Sequence, residues 1–392
     1  MLSSLPPTVD RISALPDELL MHILTFLPTK HAFTTIVLSK RWTPLCHFLT
    51  VLHVLHFDDE GAQDKHASLR FRRYVDAFML SKHHPIGTMR LISRSKRRDS
   101  YNRQFNMDEW LEAAIRRHIK NLELSTARSR PLPPRVLTSQ TLTVLKLKGF
   151  DLRFGDNNIV SVDLPSLKTL HLEKPYLEKV DNLIELLSGC LNLVDLSASA
   201  VLYLEEHVES TTRYEFFTLP KLEKACICAL VFLPFTVISN VKFLRIINTG
   251  YLGVSEHMPM FQNLINIELC FGTFLGWHDV QKLLPYCPKL QTLVIQKLYG
   301  HIYKKKWTYT EPVPECVSFH LRTCSVTNYR DTHEDFEFVT YIMENAKLLQ
   351  VMTLHSAPNV GESEKDGLFK HLSQCLKISP GCKIILDTKE VH

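Results

Sequence analysis

The sequence predicts an α/β protein: a small three-helix module at the amino terminus, followed by a curved solenoid of repeats with a parallel β-sheet on its concave face. Three observations predict this fold. The amino-terminal stretch contains short amphipathic helices, a leucine frame recurs along most of the chain, and helical segments separate some of the predicted strands. A chain of 392 residues is also long for one compact core. Its length therefore favours a small module joined to a larger repeat domain.

The module is assigned to residues 10–48, after a flexible lead-in over residues 1–9. Its first helix is predicted to begin at Pro16, because proline suits the first helical position, and the carboxylates of Asp17 and Glu18 favour the positive end of a helix. Apolar residues then recur at helical spacing: Leu20, Ile23, Leu24 and Leu27, with Leu19 and Phe26 widening the stripe. Pro28 ends this helix, and two further short helices are predicted after it. A segment this small buries too little apolar surface to fold alone, so it requires a partner surface.

A leucine frame repeats through residues 49–310. It is clearest at residues 164–172, which read LPSLKTLHL. Equivalent frame positions are occupied by Leu122, Leu145, Leu170, Leu196, Ala225, Leu244, Ile267 and Leu293, with successive gaps of 23, 25, 26, 29, 19, 23 and 26 residues. Leucine-rich repeats have periods of about 20 to 29 residues. The frame therefore predicts irregular leucine-rich repeats, each of which contributes one parallel strand.

Further helices and strands are predicted around this frame from spacing and capping signals. Before and between the repeats they are strands at 49–57 and 87–92 and helices at 68–81, 107–118, 180–187 and 278–286. In the last part, 311–392, they are strands at 320–326 and 348–354 around a helix capped by Thr332, then a helix at 369–375 and a strand at 383–386. The final pair is expected to close the solenoid, because a terminal repeat must cover its core.

Two parts of the chain resemble known protein modules. LPDELL at 15–20, Ile23 and Leu24, FLPTK at 26–30 and LSKRW at 38–42 resemble the F-box of plant F-box proteins. In the last part, VPECVSFHLRTCSVTNY, the helix ending MENAKLL and the strand VMTLHSAP resemble the FBD region that follows leucine-rich repeats in such proteins. The sequence is thus similar to the plant F-box/FBD/LRR-repeat family, with an FBD-like region at 311–392.

This resemblance implies a non-catalytic substrate-recognition subunit of an SCF-type (cullin-RING) ubiquitin ligase. The F-box would bind the Skp-type adaptor and, through it, a cullin, while the repeats and the FBD region would bind an unidentified protein substrate. Adaptor contacts are carried over from the motif to Leu15, Pro16, Leu19, Leu20, Ile23, Leu24, Leu27, Pro28, Leu38 and Trp42. Some of these residues must form the small core of the module instead, and the sequence does not separate the two groups.

Other interpretations stay open. The amino-terminal stretch alone also fits an ordinary helical hairpin packed against its own domain. The whole chain also fits a leucine-rich protein-binding scaffold without a ubiquitin-ligase role, or a small-molecule receptor with its ligand on the concave face.

The sequence lacks the motifs of several enzyme classes. It contains neither a glycine-rich phosphate loop nor a Gly-x-Ser-x-Gly elbow, so neither a nucleotide cofactor nor serine-hydrolase catalysis is expected. Cys226 and Cys228 lack metal-binding partners at a suitable spacing, so they are interpreted as reduced core thiols rather than zinc ligands. His66, His83 and His84 are interpreted as solvated residues rather than a metal site.

Charge and hydropathy indicate neither a nucleic acid nor a membrane as a partner. The net charge of +5 reflects 46 basic and 41 acidic residues, and this near balance does not by itself favour a nucleic-acid partner, so none is expected. No segment reaches the about 18 apolar residues of a membrane helix, and no secretory signal is apparent, so the cytoplasm, the nucleus or both are expected. The basic run 94–98 is interpreted as a solvated loop, with a nuclear import signal as the alternative. The run 304–309 is interpreted as a surface insertion, with a substrate-contact loop as the alternative.

Overall fold

The structure is a computed structural model of the chain. It describes residues 11–27, 31–32, 35, 38–42, 44–45, 54–60, 64–79, 86–94, 107–152, 161–177, 180–199, 202–203, 217–228, 233–248, 258–271, 277–297, 312–330, 332–357, 371–372 and 376–387. The chain divides into two compact units. The first comprises Met1–Asp151 with Asp163–Leu167, and the second comprises Leu152–Val162 with Lys168–His392.

The first helix of the first unit, α1, spans Asp17–Thr25. Pro16 precedes it with an extended ψ of 154°, and its carbonyl accepts the first helical hydrogen bond from the Leu20 N–H at 3.1 Å. The prediction that the helix begins at Pro16 is therefore wrong by one residue, because Pro16 occupies the capping position. The other two predicted helices fall partly outside the described residues; their described helical residues are His31, Ala32, Trp42, Pro44 and Leu45.

The rest of the first unit alternates strands with helices. In order, the elements are β1 (Val54–Asp58), α2 (Lys65–Met79), β2 (Thr88–Ser93), α3 (Met107–Arg116), β3 (Asn121–Pro131), a 3-10 helix (Pro134–Thr138) and β4 (Val144–Asp151). The strands pair in parallel in the order β1-β2-β3-β4. Leu122 and Leu145 are direct partners, as the leucine frame predicts, and the same row continues backward through Met89 to Leu55.

One glycine marks an irregularity in this part of the sheet. Gly149 in β4 has a positive φ of 77°, and a Cβ atom there would lie 2.4 Å from the carbonyl oxygen of Thr126. The β3–β4 ladder also shifts its register between Ser125 and Arg130. Only a residue without a side chain fits this close approach of two backbones.

The second unit contains most of the repeats. Its elements are β5 (Thr169–Glu173), β6 (Tyr176–Leu177), α4 (Val180–Ser188), β7 (Asp195–Ser199), β8 (Leu202–Tyr203), β9 (Lys224–Cys228), a 3-10 helix (Phe235–Ile238), β10 (Phe243–Asn248), β11 (Asn266–Phe271), α5 (Trp277–Leu283), a 3-10 helix (Leu284–Tyr286), β12 (Thr292–Lys297), α6 (Glu315–Phe319), β13 (Thr323–Tyr329), α7 (His333–Asn345), β14 (Val351–Ser356) and β15 (Lys383–Asp387). Its strands pair in parallel in the order β5-β7-β9-β10-β11-β12-β13-β14-β15, and β6 pairs with β8.

The leucine frame fixes the register of this sheet. Each frame residue pairs with the next along the row Leu170, Leu196, Ala225, Leu244, Ile267 and Leu293, and the row continues through Cys324, Met352 and Ile384. Every member from Leu170 to Met352 is buried. Burial of a leucine, isoleucine or methionine side chain stabilises the folded state by about 1.5–3 kcal/mol, so the row contributes strongly to the stability of the sheet. The predicted fold class is confirmed: helices accompany a large parallel sheet that does not close.

The predicted cap of α7 is also confirmed. Thr332 precedes the helix in an extended conformation, and its Oγ1 accepts a hydrogen bond from the Asp335 N–H at 3.2 Å. Of the predicted helix at 369–375, only His371 and Leu372 are described, and both are helical. Across the described residues, no helix combines the length and apolarity needed to cross a bilayer.

Candidate functional site

The amino-terminal module has a small core of its own. Among the described residues, its buried members are Leu20, Leu24, Ala32, Trp42 and Leu45, and the partly buried Leu15 and Met21 pack against them. Three of the predicted contact residues, Leu20, Leu24 and Trp42, therefore point inward. Their side chains hold the helices of the module together.

Most of the other predicted contact residues point outward. Pro16 is exposed, and Pro28 lies outside the described residues. Six large apolar side chains of the module are between 38% and 73% exposed: Ile12, Leu19, Ile23, Phe26, Leu27 and Leu38. Ile12 and Phe26 were not among the predicted contacts. We call these six residues the outer apolar set.

The apolar stripe of α1 is therefore divided between two faces. Successive helical residues are rotated by about 100°, so Leu19, Ile23 and Phe26 fall within an arc of about 60°. Leu20 and Leu24 lie on the adjacent arc, which faces the core. Isolated exposed apolar residues are common on protein surfaces, but a cluster of large ones marks an interaction site.

Arg41 ties the end of the module to its beginning. Its Nε donates to Asp17 Oδ1 at 2.8 Å, while Nη1 and Nη2 donate to the carbonyl oxygens of Ser13 and Leu15 at 2.7 Å and 2.6 Å. Asp17 opens α1, and Arg41 immediately precedes the buried Trp42. The guanidinium therefore fixes the entry to α1 against the segment that supplies Trp42. The planar fork of arginine suits these three acceptors, whereas lysine offers a single ammonium group.

We expect Arg41→Ala to loosen this module by about 1–2 kcal/mol, since three hydrogen bonds are lost from a partly solvated site. The amide hydrogens of α1 should then exchange about fivefold to thirtyfold faster in the full chain, as measured by mass spectrometry. The exchange rate of α1 in Arg41→Lys should lie between the rates in the unmodified chain and in Arg41→Ala. Lys40→Ala removes a neighbouring exposed cation and serves as the control. Equal exchange in Arg41→Ala and Lys40→Ala would contradict the assigned role of Arg41.

Comparisons with known proteins match three parts of the chain. Family models match residues 12–47 (F-box domain), 107–213 (FBD-associated F-box protein At5g56370, LRR repeats) and 310–354 (FBD). An F-box, leucine-rich repeats and an FBD region are present. The resemblance to plant F-box/FBD/LRR-repeat proteins is thereby confirmed.

Similar proteins from Arabidopsis thaliana align with this chain over almost their whole length. The putative FBD-associated F-box protein At3g50710 is 27% identical, with 97% of this chain and 100% of the relative aligned. The F-box/FBD/LRR-repeat protein At5g56420 is 26% identical, with 96% and 99% aligned. The F-box/FBD/LRR-repeat protein At4g26340 is 27% identical, with 97% and 100% aligned.

The repeats of the second unit present a polar row on the sheet face opposite the leucine row. Arg245 lies at its centre. The Nε atom of Arg245 is 3.5 Å from Glu268 Oε2, and its Nη2 donates to Gln296 Oε1 at 3.4 Å. The Cys270 thiol donates to the same Gln296 oxygen at 3.1 Å. These contacts link β10, β11 and β12 and keep the central charges of the row paired.

The cysteines of the repeats are free thiols. Cys226 is half-buried and Cys228 is buried, and neither forms a disulfide. Burial raises the pKa of Cys226, and it raises the pKa of Cys190 to about 12, so both thiols are held in the neutral form. In the part of the chain that the structure describes, no group of three or more His, Cys, Asp or Glu side chains is arranged to hold a metal ion.

A buried carboxylate joins the FBD helix α7 to the last repeats. Asp335 accepts hydrogen bonds from Trp277 Nε1 at 3.1 Å and from the Arg330 N–H at 3.1 Å, and it forms an ion pair with Lys297. The Trp277 ring stacks on Phe338 with 4.1 Å between centroids. We call these five residues the Asp335 cluster. Because protein donors already occupy the carboxylate, the cluster fits a structural role.

Several predicted features lie outside the described residues. They are His83, His84, the run 304–309 and most of the basic run 94–98. Arg94, the described member of that run, makes a bidentate contact with Asp58 at 3.1 Å and 3.0 Å. The hydrogen bond from Arg94 lowers the pKa of Asp58, so Arg94 has a local counter-charge.

Proposed function

We propose that this protein is the substrate-recognition subunit of an SCF-type (cullin-RING) ubiquitin ligase. Its F-box would bind the Skp-type adaptor and, through it, a cullin, while the repeats and the FBD region would bind a protein substrate. The observation that carries the proposal is the outer apolar set, displayed by a module that has its own small core. F-box proteins generally bind Skp-type adaptors, and the F-box match supports the same partner for this chain.

Exposure supports some of the proposed adaptor contacts more than others. Pro16, Leu19, Ile23, Leu27 and Leu38 remain candidates because water reaches them, and Ile12 and Phe26 join them for the same reason. Leu20, Leu24 and Trp42 act indirectly, because they form the core that orients the outward residues. Interfaces draw most of their binding energy from a few anchor residues, among which aromatic side chains are prominent. Phe26, at 73% exposure, is the most exposed of the set and is our first choice for such an anchor.

The proposed mechanism is positional. The ligase brings a bound substrate close to the ubiquitin-transfer chemistry of other subunits, which raises the effective concentration of the reacting groups. This chain would then need no catalytic side chain or cofactor of its own. We place its action in the cytoplasm, the nucleus or both.

The test is binding of the purified full chain to a purified Skp-type adaptor by titration calorimetry. The variant combines Ile23→Asp with Phe26→Asp, which puts two carboxylates into the outer apolar set without entering the core. If the two residues are anchors, the loss should be at least about a hundredfold in affinity, because anchor residues contribute about 2 kcal/mol or more each.

Leu69→Asp is the matched control, because Leu69 in α2 is 40% exposed and Ile23 is 42% exposed. The same kind of substitution at the same exposure, outside the F-box, should leave adaptor binding unchanged. Circular dichroism of all variants would verify that α1 is retained. The proposal fails if the unmodified chain does not bind the adaptor, or if the double variant binds it as well as Leu69→Asp does.

A further inference from the structure

The last strand, β15, is paired on one side only among the strands that the structure describes. It pairs with β14 on one side, and none of the described strands pairs with its other side. An open strand edge offers unpaired backbone donors and acceptors, which makes it a template for another strand. Short length and charged ends limit unspecific pairing at such an edge. β15 has only five residues, KIILD, with a charged residue at each end.

Side chains near this edge are more exposed than their counterparts elsewhere in the sheet. The leucine row is buried from Leu170 to Met352, yet its last member, Ile384, is only half-buried, as is Leu386. On the opposite face, Ile385 is 44% exposed, and the apolar residues Leu376 and Ile378 just before the strand are also exposed. The last repeat therefore presents apolar side chains beside the edge that no described strand pairs with.

The direction of the backbone groups can be read from one hydrogen bond. The Lys383 N–H donates to the Gln350 carbonyl at 2.9 Å, so Lys383 points its backbone groups toward β14. Successive residues of a strand point these groups to opposite sides. The backbone groups of Ile385 therefore also face β14, while the N–H and C=O groups of Ile384 and Leu386 point away from β14.

We propose that this edge binds a second copy of the same chain, by antiparallel pairing of β15 with β15 about a two-fold axis at Ile385. In this register Ile384 lies opposite Leu386 of the second copy. Both have outward-facing backbone groups, which is the condition for a pair that exchanges two hydrogen bonds. The axis generates the same pair twice, so four backbone hydrogen bonds connect the copies.

The charges of the strand agree with this register. When two KIILD strands pair antiparallel about Ile385, Lys383 of each copy lies opposite Asp387 of the other, at both ends of the pairing. Opposite charges directly across an antiparallel pair are favourable, and like charges are unfavourable. Ile385 meets its own counterpart at the centre. A strand that is self-complementary in hydrogen bonding and in charge favours a two-fold contact with its own copy over an unrelated partner.

The test is sedimentation velocity of the full chain over a micromolar concentration series. We expect a concentration-dependent shift from the 45.3 kDa monomer to a dimer. Lys383→Glu places Glu opposite Asp at both ends and should raise the dissociation constant of the dimer at least tenfold. Combining Lys383→Glu with Asp387→Lys exchanges the charges and should restore the dimer. Lys289→Glu, which changes an exposed lysine away from β15, should behave as the unmodified chain.

A second variant guards against an effect on folding. Ile385→Lys brings two ammonium groups together at the two-fold axis, so this variant should also be monomeric. Because Ile385 is already partly exposed, the substitution should not disturb the fold. A monomer at every concentration, an unchanged dimer in Lys383→Glu, or no recovery in the charge-exchanged variant would overturn the proposal. Growth beyond the dimer would also overturn it, because head-to-tail contacts form open assemblies. Adaptor binding is measured separately, so failure here leaves the proposed ligase role untouched.

Discussion

Replacing Asp335 with alanine should destabilise the FBD helix by about 3–5 kcal/mol, because the substitution removes one partner of a buried ion pair. The carboxylate is only 3% exposed. Without it, the Lys297 ammonium, the Trp277 indole N–H and the Arg330 N–H lose their acceptor inside the protein. Buried donors without acceptors bear their full desolvation cost, and this cost exceeds the net gain from an ordinary hydrogen bond.

Hydrogen exchange in the full chain is the appropriate measurement, since a chain of two units is not expected to unfold in one step. Amides of α7 should exchange at least about a hundredfold faster in Asp335→Ala, and those of β12, which carries Lys297, should follow. Glu334→Ala changes the preceding acidic residue, which lies outside the cluster, and should have a small effect. Similar exchange in the two variants would contradict the assigned role.

Apolar replacement of both partners provides a second control. Lys297→Met with Asp335→Leu removes both charges together, so neither is left buried alone. Exchanging a buried ion pair for apolar side chains of similar volume is often neutral or stabilising. We therefore expect the double variant to exchange more slowly than Asp335→Ala. If it exchanges faster, the ion pair itself, and not the unpaired charge, dominates the effect.

The Asp335 cluster also shows how the FBD region and the repeats form one packed structure. The hydrogen bond from Trp277 spans 58 positions of sequence, and the bond from Lys297 spans 38. Within the same region, β13 and β14 continue the leucine row with Cys324 and Met352. The FBD strands thus extend the parallel sheet, and the cluster fixes α7 beside it. A substitution in α7 should therefore disturb the last repeats as well as the helix.

The strand register was predictable because one residue type marks one position in every repeat. Leu170, Leu196 and Leu244 are spaced by the repeat period, and neighbouring repeats must share a core, so their alignment follows from the sequence alone. Ala225 was placed correctly by the frame around it, even though it is small. Cys324 and Met352 lie in the same row, but they interrupt the leucine pattern and were not assigned to it.

The two faces of α1 were not separable by the same reasoning. Hydrophobic periodicity distinguishes apolar residues from polar ones, but a module that binds a partner is apolar toward its core and toward the partner. Leu20 and Ile23 therefore look equivalent in sequence, although one is buried and the other is 42% exposed. The contacts of Arg41 and Asp335 were missed for a different reason. Apart from the Arg330–Asp335 hydrogen bond, they join residues more than twenty positions apart, and local spacing holds no information about such contacts.

Replacing Leu20 with aspartate should unfold the F-box, while the same substitution at the adjacent Leu19 should leave it folded. Leu20 is fully buried and belongs to a small core in which the structure describes five buried residues. An unpaired carboxylate in that core should cost more than about 4 kcal/mol, which a small module cannot tolerate. The amides of α1 should lose their protection from hydrogen exchange in Leu20→Asp, and adaptor binding should be lost with the fold.

Leu19 is 49% exposed, so its aspartate variant keeps a solvated carboxylate and an intact core. In Leu19→Asp we expect near-normal protection of α1 together with weaker adaptor binding. The pair thus separates the residues that build the F-box from those that would touch its partner. Loss of α1 protection in both variants would show that Leu19 also supports the core. Normal adaptor binding in a folded Leu19→Asp would remove Leu19 from the proposed contact surface.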